Sequence, residues 1–147
     1  MVQGKRKRAK KAVAKKAVAK KRAPRPVYTS TRKSMVPLSD AVTVGNLIFV
    51  SGTTPFDGEG RIARGDFAAQ MHQVMANIKA ILAAAGSSLE SVAKVVVILT
   101  RLEDFRQMNE IYRQYFKEGN APARTTIGAQ LAHPDFLIEI ECVAQLE

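Results

Sequence analysis

The chain has 147 residues, 46% of them hydrophobic and with no long uninterrupted apolar run, which fits one ordinary soluble domain and excludes a transmembrane helix. Its formal charge of +10 is unevenly spread: Met1 to Lys33 carry 14 Lys and Arg and no acid, whereas the remainder holds 9 basic and 13 acidic residues. A single cysteine, Cys142, excludes an internal disulfide framework and fits a reducing, cytoplasmic compartment.

Residues 1–34 read as a disordered, low-complexity basic tail. Lys-Arg-Lys-Arg opens it at 5–8, Lys-Lys-Ala-Val-Ala occurs at 10–14 and again at 15–19, and Lys20-Lys21-Arg22 follows. Such a segment has little to bury and repels itself, although alanine and lysine are good helix formers once an anionic surface neutralises the charge. Nucleic acid, or another polyanion, is the partner these charges suit, through residues 1–33, and the lack of aromatics before Tyr28 argues against base stacking. A nuclear-localisation or nucleoid-associating cluster, an organellar presequence and a solubilising tail without a partner are the competing readings. The tail lacks the apolar stretch of a secretory signal, and nothing in it calls for a membrane.

The folded domain, residues 35–147, begins near Met35. Ser39 to Val44 and Leu47 to Ser51 are short β-prone runs separated by Gly45-Asn46, a two-residue hairpin signal. Asp57-Gly58-Glu59-Gly60 is a further turn, and Arg61 to Ala63 reads as a short strand. Asp66 then caps a helix whose Phe67, Met71, Val74, Ile78, Ile81 and Ala85 recur at steps of three and four until Gly86. Ser91 to Thr100 is apolar on both sides and so belongs in the middle of a sheet. Asp104 caps a second helix with a stripe of Phe105, Met108, Ile111, Tyr112 and Tyr115, ending before Gly119.

Pro122 ends helical geometry and directs the chain into a strand with Arg124 at its mouth. Two alternating apolar runs, Thr125 to Leu131 and Phe136 to Leu146, flank the break Ala132-His133-Pro134-Asp135 and read as an antiparallel hairpin. In that register Leu131 faces Phe136, Gly128 faces Glu139, Thr126 faces Glu141 and Arg124 faces Val143. Arg124, Glu139 and Glu141 would then share one sheet face, with Phe136, Ile138, Ile140 and Cys142 on the other. The plain alternative is that both glutamates simply face solvent on a half-exposed strand. Cys142, on the apolar face, reads as a buried inert thiol, and His72 and His133 as isolated surface residues; no Cys or His cluster has metal-ligand spacing.

Strand, strand, helix, strand, helix, strand, strand is the order of an α+β domain with two helices on one face of a mixed or antiparallel sheet. Two helices cover one face only. Self-association is the economical way to cover the other.

Several strings in this order resemble the RidA/YjgF family: Gly45-Asn46-Leu47-Ile48-Phe49-Val50-Ser51-Gly52, Gly65-Asp66 with Gln70, Val74 and Asn77, Ala84-Ala85-Gly86-Ser87-Ser88-Leu89, Leu102-Glu103-Asp104-Phe105, Asn109, Pro122-Ala123-Arg124 and Ile138-Glu139-Ile140-Glu141. The resemblance runs from about residue 37 to the C-terminus and leaves out the tail. It implies a chorismate-mutase-like (RidA-type) protomer in a homotrimeric barrel, with clefts between neighbouring subunits, and a metal-free, cofactor-free hydrolysis of reactive enamines and imines such as 2-aminoacrylate to 2-keto acids and ammonia. By the same resemblance Arg124 grips the carboxylate of a small imino acid and Glu139 handles the attacking water, while Ser51, Gly52, Asn109 and Leu38 line the site. Some relatives have been regarded as ribonucleases or translation inhibitors, which keeps a nucleic-acid role open, and a non-catalytic binder of small carboxylates is a third reading. Three positions depart from the family pattern: Leu38 stands where many members carry a tyrosine, Thr53 where glutamine is usual, and Thr126 where cysteine is frequent. These losses of polar contact point to a more apolar imine, a slower reaction or a divergent subgroup.

Overall fold

The structure, a computed structural model, describes residues 26–31 and 36–147. Strands β1 (Val27–Thr29), β2 (Ala41–Val44), β3 (Leu47–Thr53), β4 (Val92–Leu99), β5 (Ala123–Gly128) and β6 (Ile138–Gln145) form one sheet in the order β1-β2-β3-β6-β4-β5. Helices α1 (Phe67–Ala84) and α2 (Phe105–Tyr115) supply the second layer. The mixed α+β architecture with one sheet and two helices is as the element order predicts.

Gly45-Asn46 makes the expected tight turn, with Gly45 at φ 65° and Val44 paired to Leu47. Asp66 caps α1 by accepting from the Ala69 N–H at 3.0 Å. At the other end Gly86, at φ 83°, lets the Ser87 N–H reach back to Leu82 O while its own N–H meets Ala83 O, closing the helix in a Schellman motif. Phe67, Met71, Val74, Ile78 and Ile81 lie buried on the sheet side of α1. Against them pack Ile48 and Val50 of β3, Val95, Val97 and Leu99 of β4, and Ile138, Ile140 and Cys142 of β6.

Five expectations need correction. The sheet begins at Val27, ahead of the boundary expected at Met35, because β1 pairs antiparallel with β2 and Thr31 donates both its N–H and its hydroxyl to the buried Asp40 carboxylate at 2.6 and 2.7 Å. The rest of the expected disordered tail, 1–25 and 32–34, lies outside the described residues. Arg61 to Ala63 forms no strand, since Asp57 occupies its backbone: the Asp57 carboxylate accepts from the Arg61 N–H, and the Asp57 N–H donates to Arg61 O. Asp104 stands at the start of α2, but its carboxylate binds Arg101 Nε and Nη2 rather than the helix N–H groups. Phe105 at the head of α2 is exposed, whereas Met108, Ile111 and Tyr112 are buried as the stripe requires.

The largest correction concerns the C-terminal half. β5 and β6 do not form a hairpin. β5 instead runs parallel to β4 after the α2 crossover, and β6 inserts antiparallel between β3 and β4. Parallel neighbours require a crossover of this kind, and α2 with its flanks provides it. A strand with Ile138, Ile140, Cys142 and Ala144 all buried gains most from neighbours on both sides, which a terminal hairpin would deny it. The residues read as a hairpin turn belong to a longer connection that passes over the end of β4. Ala129 N–H donates to Leu99 O, and Thr100 N–H donates to Leu137 O.

Candidate active site

Arg124 enters β5 level with Val95 of β4, whose side chain is buried under the helices, so the guanidinium lies on the helix side of the sheet. There α2 holds it. Nη2 donates to Asn109 Oδ1 at 2.7 Å, and Cζ sits 4.6 Å from the centroid of the Tyr112 ring. Asn109 is itself fixed, because its Nδ2 donates to Phe105 O one turn earlier. Burial pushes the Tyr112 hydroxyl up to about 12 against the opposing pull of the Arg124 charge, and no hydrogen-bond partner for that hydroxyl is present among the described residues. Arg124 is thus a half-exposed, pre-oriented cation on an edge strand.

Glu139 lies elsewhere. It pairs with Ile98, which faces away from the helices, and so points to the open side of the sheet together with Glu141. A Cβ added to Gly52 would come within 2.0 Å of Glu139 Oε1, which places the carboxylate directly on the β3 backbone at Ser51-Gly52. Only glycine permits that approach. The register of β3 against β6 shifts between Val50 and Thr53, a bulge that re-aims this stretch. Ser51 Oγ donates to Ser39 O at 2.7 Å, and Ser51 N–H donates to Asp40 O, so the segment carrying the exposed Leu38 is tied to the same spot. Burial, and secondarily the neighbouring Glu141 charge, raises the Glu139 carboxyl above its ordinary range.

The expectation that Arg124, Glu139 and Glu141 share a face is therefore overturned. One strand separates β5 from β6, and Arg124 is level with Cys142, three residues from Glu139. By strand spacing and rise the two Cα atoms stand about 14 Å apart, with side chains on opposite faces. Within one protomer they cannot grip one small acid. A concavity of about 380 Å³ lies elsewhere, lined by Phe56, Gly60, Arg61, Ile62, Arg64 and His133. The structure groups Ser51, Gly52 and Glu139 with the segment that carries Leu38, and Arg124 with Asn109.

The sequence profile of the family described as Endoribonuclease L-PSP matches residues 29–146. A RutC family protein of Pyrococcus abyssi is 47% identical over 116 residues, which is 78% of this chain and 91% of that one. Among solved structures, the YjgF gene product of E. coli is 33% identical with a TM-score of 0.71, covering 82% of this chain and 94% of its own. A YjgF family protein of Neisseria meningitidis is 32% identical with a TM-score of 0.72, covering 84% and 96%. The chain belongs to the RidA/YjgF family.

In this RidA/YjgF protein two residues matter that the sequence reading had placed only in motifs or in a core stripe. Tyr112, read as core, is the surface on which Arg124 stacks. Gln70, fully buried, donates from Nε2 to Ala63 O and Asp135 O and accepts the Leu137 N–H, so it pins the connection that delivers Glu139. A glutamine on the apolar face between Phe67 and Val74 was the available signal. His72 and His133 are not isolated: His72 Nδ1 lies 2.6 Å from the Tyr115 hydroxyl, and His133 Nδ1 accepts the Asp135 N–H. Cys142 is buried, and burial pushes its thiol up to about 12.

Proposed function

We propose that the protein is a hydrolytic deaminase of reactive enamines and imines, acting as a homotrimer in which the two half-sites meet across subunit boundaries. The observation that carries this reading is the orientation of Arg124, fixed by Asn109 and Tyr112 and half-exposed on an edge strand that a second copy can approach. A guanidinium so held offers two parallel N–H groups to a substrate carboxylate. The Ser51-Gly52 backbone and Glu139 of the neighbouring copy would then flank the imine carbon. The separation within one protomer is the reason for placing them on different copies.

In this mechanism water adds to the C=N carbon, its proton passes to Glu139, and the nitrogen receives a proton as the carbinolamine collapses to a 2-keto acid and ammonia. A carboxyl group with a raised pKa suits both steps, since it gains and releases a proton nearer neutrality. The substrate is already reactive, so positioning does much of the work. Leu38, exposed where the family pattern has a polar residue, favours imino acids with apolar side chains, whereas Thr53 is buried beside Ile140 on the covered face of the sheet and so does not line the site.

Arg124→Ala should slow imine hydrolysis about 100-fold or more in an assay coupled to a serine or threonine dehydratase, with the assembly intact. Equal rates would remove the reading. Mixing protomers tests the subunit arrangement. Arg124→Ala and Glu139→Gln chains, each inactive alone, should recover about a quarter of the wild-type rate when co-assembled at random, because some clefts then combine both intact residues. No recovery means that both groups come from one subunit.

A further inference from the structure

The surface beside Arg124 extends further than a carboxylate alone would need. Met108, Asn109 and Tyr112 of α2 all touch Arg124, and Phe105 precedes them by three, four and seven residues, so it heads the same helix face. Met108 and Tyr112 are buried, but Phe105 is 45% exposed, and Leu102, in the turn ahead of α2, is 65% exposed. Across from them β5 turns Arg124, Thr126 and Gly128 to that same side, because alternate residues of a strand share a face. Leu102 lies over Gly128: a Cβ at Gly128 would stand 2.9 Å from Leu102 Cδ2.

These contacts set a direction. Asn109 meets Arg124 and Leu102 meets Gly128, so the chain from Leu102 into α2 runs opposite to β5, with Phe105 about level with Thr126. Thr126 is about 7 Å along the strand from Arg124, and Gly128 about 13 Å. We propose that Phe105 and Leu102 are specificity-determining residues that form the walls for the substrate's side chain. They select 2-imino acids with branched or extended aliphatic chains, such as those derived from leucine and methionine, over the small imino acid derived from alanine. The nature of the group held at Arg124 rests on the deaminase reading above.

The substituent of a carboxylate held on that guanidinium meets filled space toward Tyr112 and Met108, which are 5% and 0% exposed. Toward Phe105 it meets a surface that is both open and apolar. A methyl group ends close to the imine carbon and leaves that surface wet. An isobutyl or thioether chain covers it, with Leu102 closing the far end, and each further methylene so buried is worth about 10-fold or more in discrimination.

The test reads the subsite with and without turnover. Isothermal titration calorimetry compares two stable 2-keto acids, pyruvate and the keto acid of leucine, on the full chain. In parallel, kcat/KM is measured for imino acids made in situ from alanine and leucine by an amino-acid oxidase. Wild type should favour the leucine-derived ligand about 10-fold or more in both measurements. Phe105→Ala should cut that preference at least about fivefold and Leu102→Ala about threefold, while Phe105→Leu keeps most of it. Each ratio compares two ligands on one protein, so any loss of folded material cancels. Equal affinity of wild type for the two keto acids, or an unchanged preference in both alanine variants, would overturn the proposal. A leucine preference that persists in binding while no imino acid is turned over would instead sink the deaminase reading and leave the subsite standing.

Discussion

Gly52 and Glu139 carry the proposed chemistry at the scale of single residues. A Cβ at position 52 collides with Glu139 Oε1, the free end of a flexible side chain, so Gly52→Ala can be accommodated by swinging the carboxylate aside. We expect that variant to keep its stability within about 1 kcal/mol by urea denaturation while losing most of its kcat. An unchanged kcat would show that the carboxylate position is immaterial. Glu139 also leaves a pH signature. Its folded-state pKa lies above the ordinary 4.5, so the folded chain holds this proton more tightly than the unfolded chain does. Its contribution to stability is therefore fullest below about 4.5 and is lost as pH rises through the folded value. Glu139→Gln should flatten that decline, which parallel Tm measurements from pH 4 to 8 would reveal as a mutant-minus-wild-type difference growing with pH. A constant difference would refute it.

Between elements, the decisive join is the one Gln70 makes from α1 to the β5–β6 connection. Its amide satisfies the Leu137 N–H and the carbonyls of Ala63 and Asp135 with no exposure to water. Gln70→Leu preserves bulk but strands those backbone groups, so it should cost about 2–4 kcal/mol in urea denaturation. Hydrogen exchange at Leu137 should rise with it; protection equal to wild type would mean that another group replaces the amide. Asn77 plays a similar part, donating to Thr54 O and Phe56 O and so holding the segment after β3. Helix propensity and periodicity foretold α1 and most of α2. Neither could tell that polar side chains on α1 secure the segment after β3 and the connection before β6.

At the level of the whole molecule, the sheet has one covered face and one open one. The open face presents Val44, Leu47, Phe49 and Ile127, each at least 40% exposed, around Glu139 and Glu141. An apolar surface of this breadth on a short chain is the mark of an interaction site, and a second and third copy are its proposed occupants. Phe49→Lys should shift the proposed trimer toward monomer in light scattering and lose the proposed imine hydrolysis in proportion. A monomer with full activity would separate the chemistry from assembly.

How much of this was legible beforehand depended on how local the cause was. The β2–β3 turn follows from Gly45-Asn46, the start of α1 from Asp66 and its end from Gly86, because each rests on the geometry of a few adjacent residues. Family motifs singled out Arg124, Asn109, Gly52 and Glu139 without revealing how they are grouped. Strand order was not local. The break at 132–135 is compatible with a hairpin or with a crossing, and the choice went to the arrangement that gives β6 two neighbours and pairs β5 with β4 through α2. Since side chains alternate faces along every strand, that choice alone put Arg124 beneath the helices and Glu139 on the open side. The sequence by itself determined which residues are available for chemistry; the pairing of distant strands decided which of them one protomer can bring together.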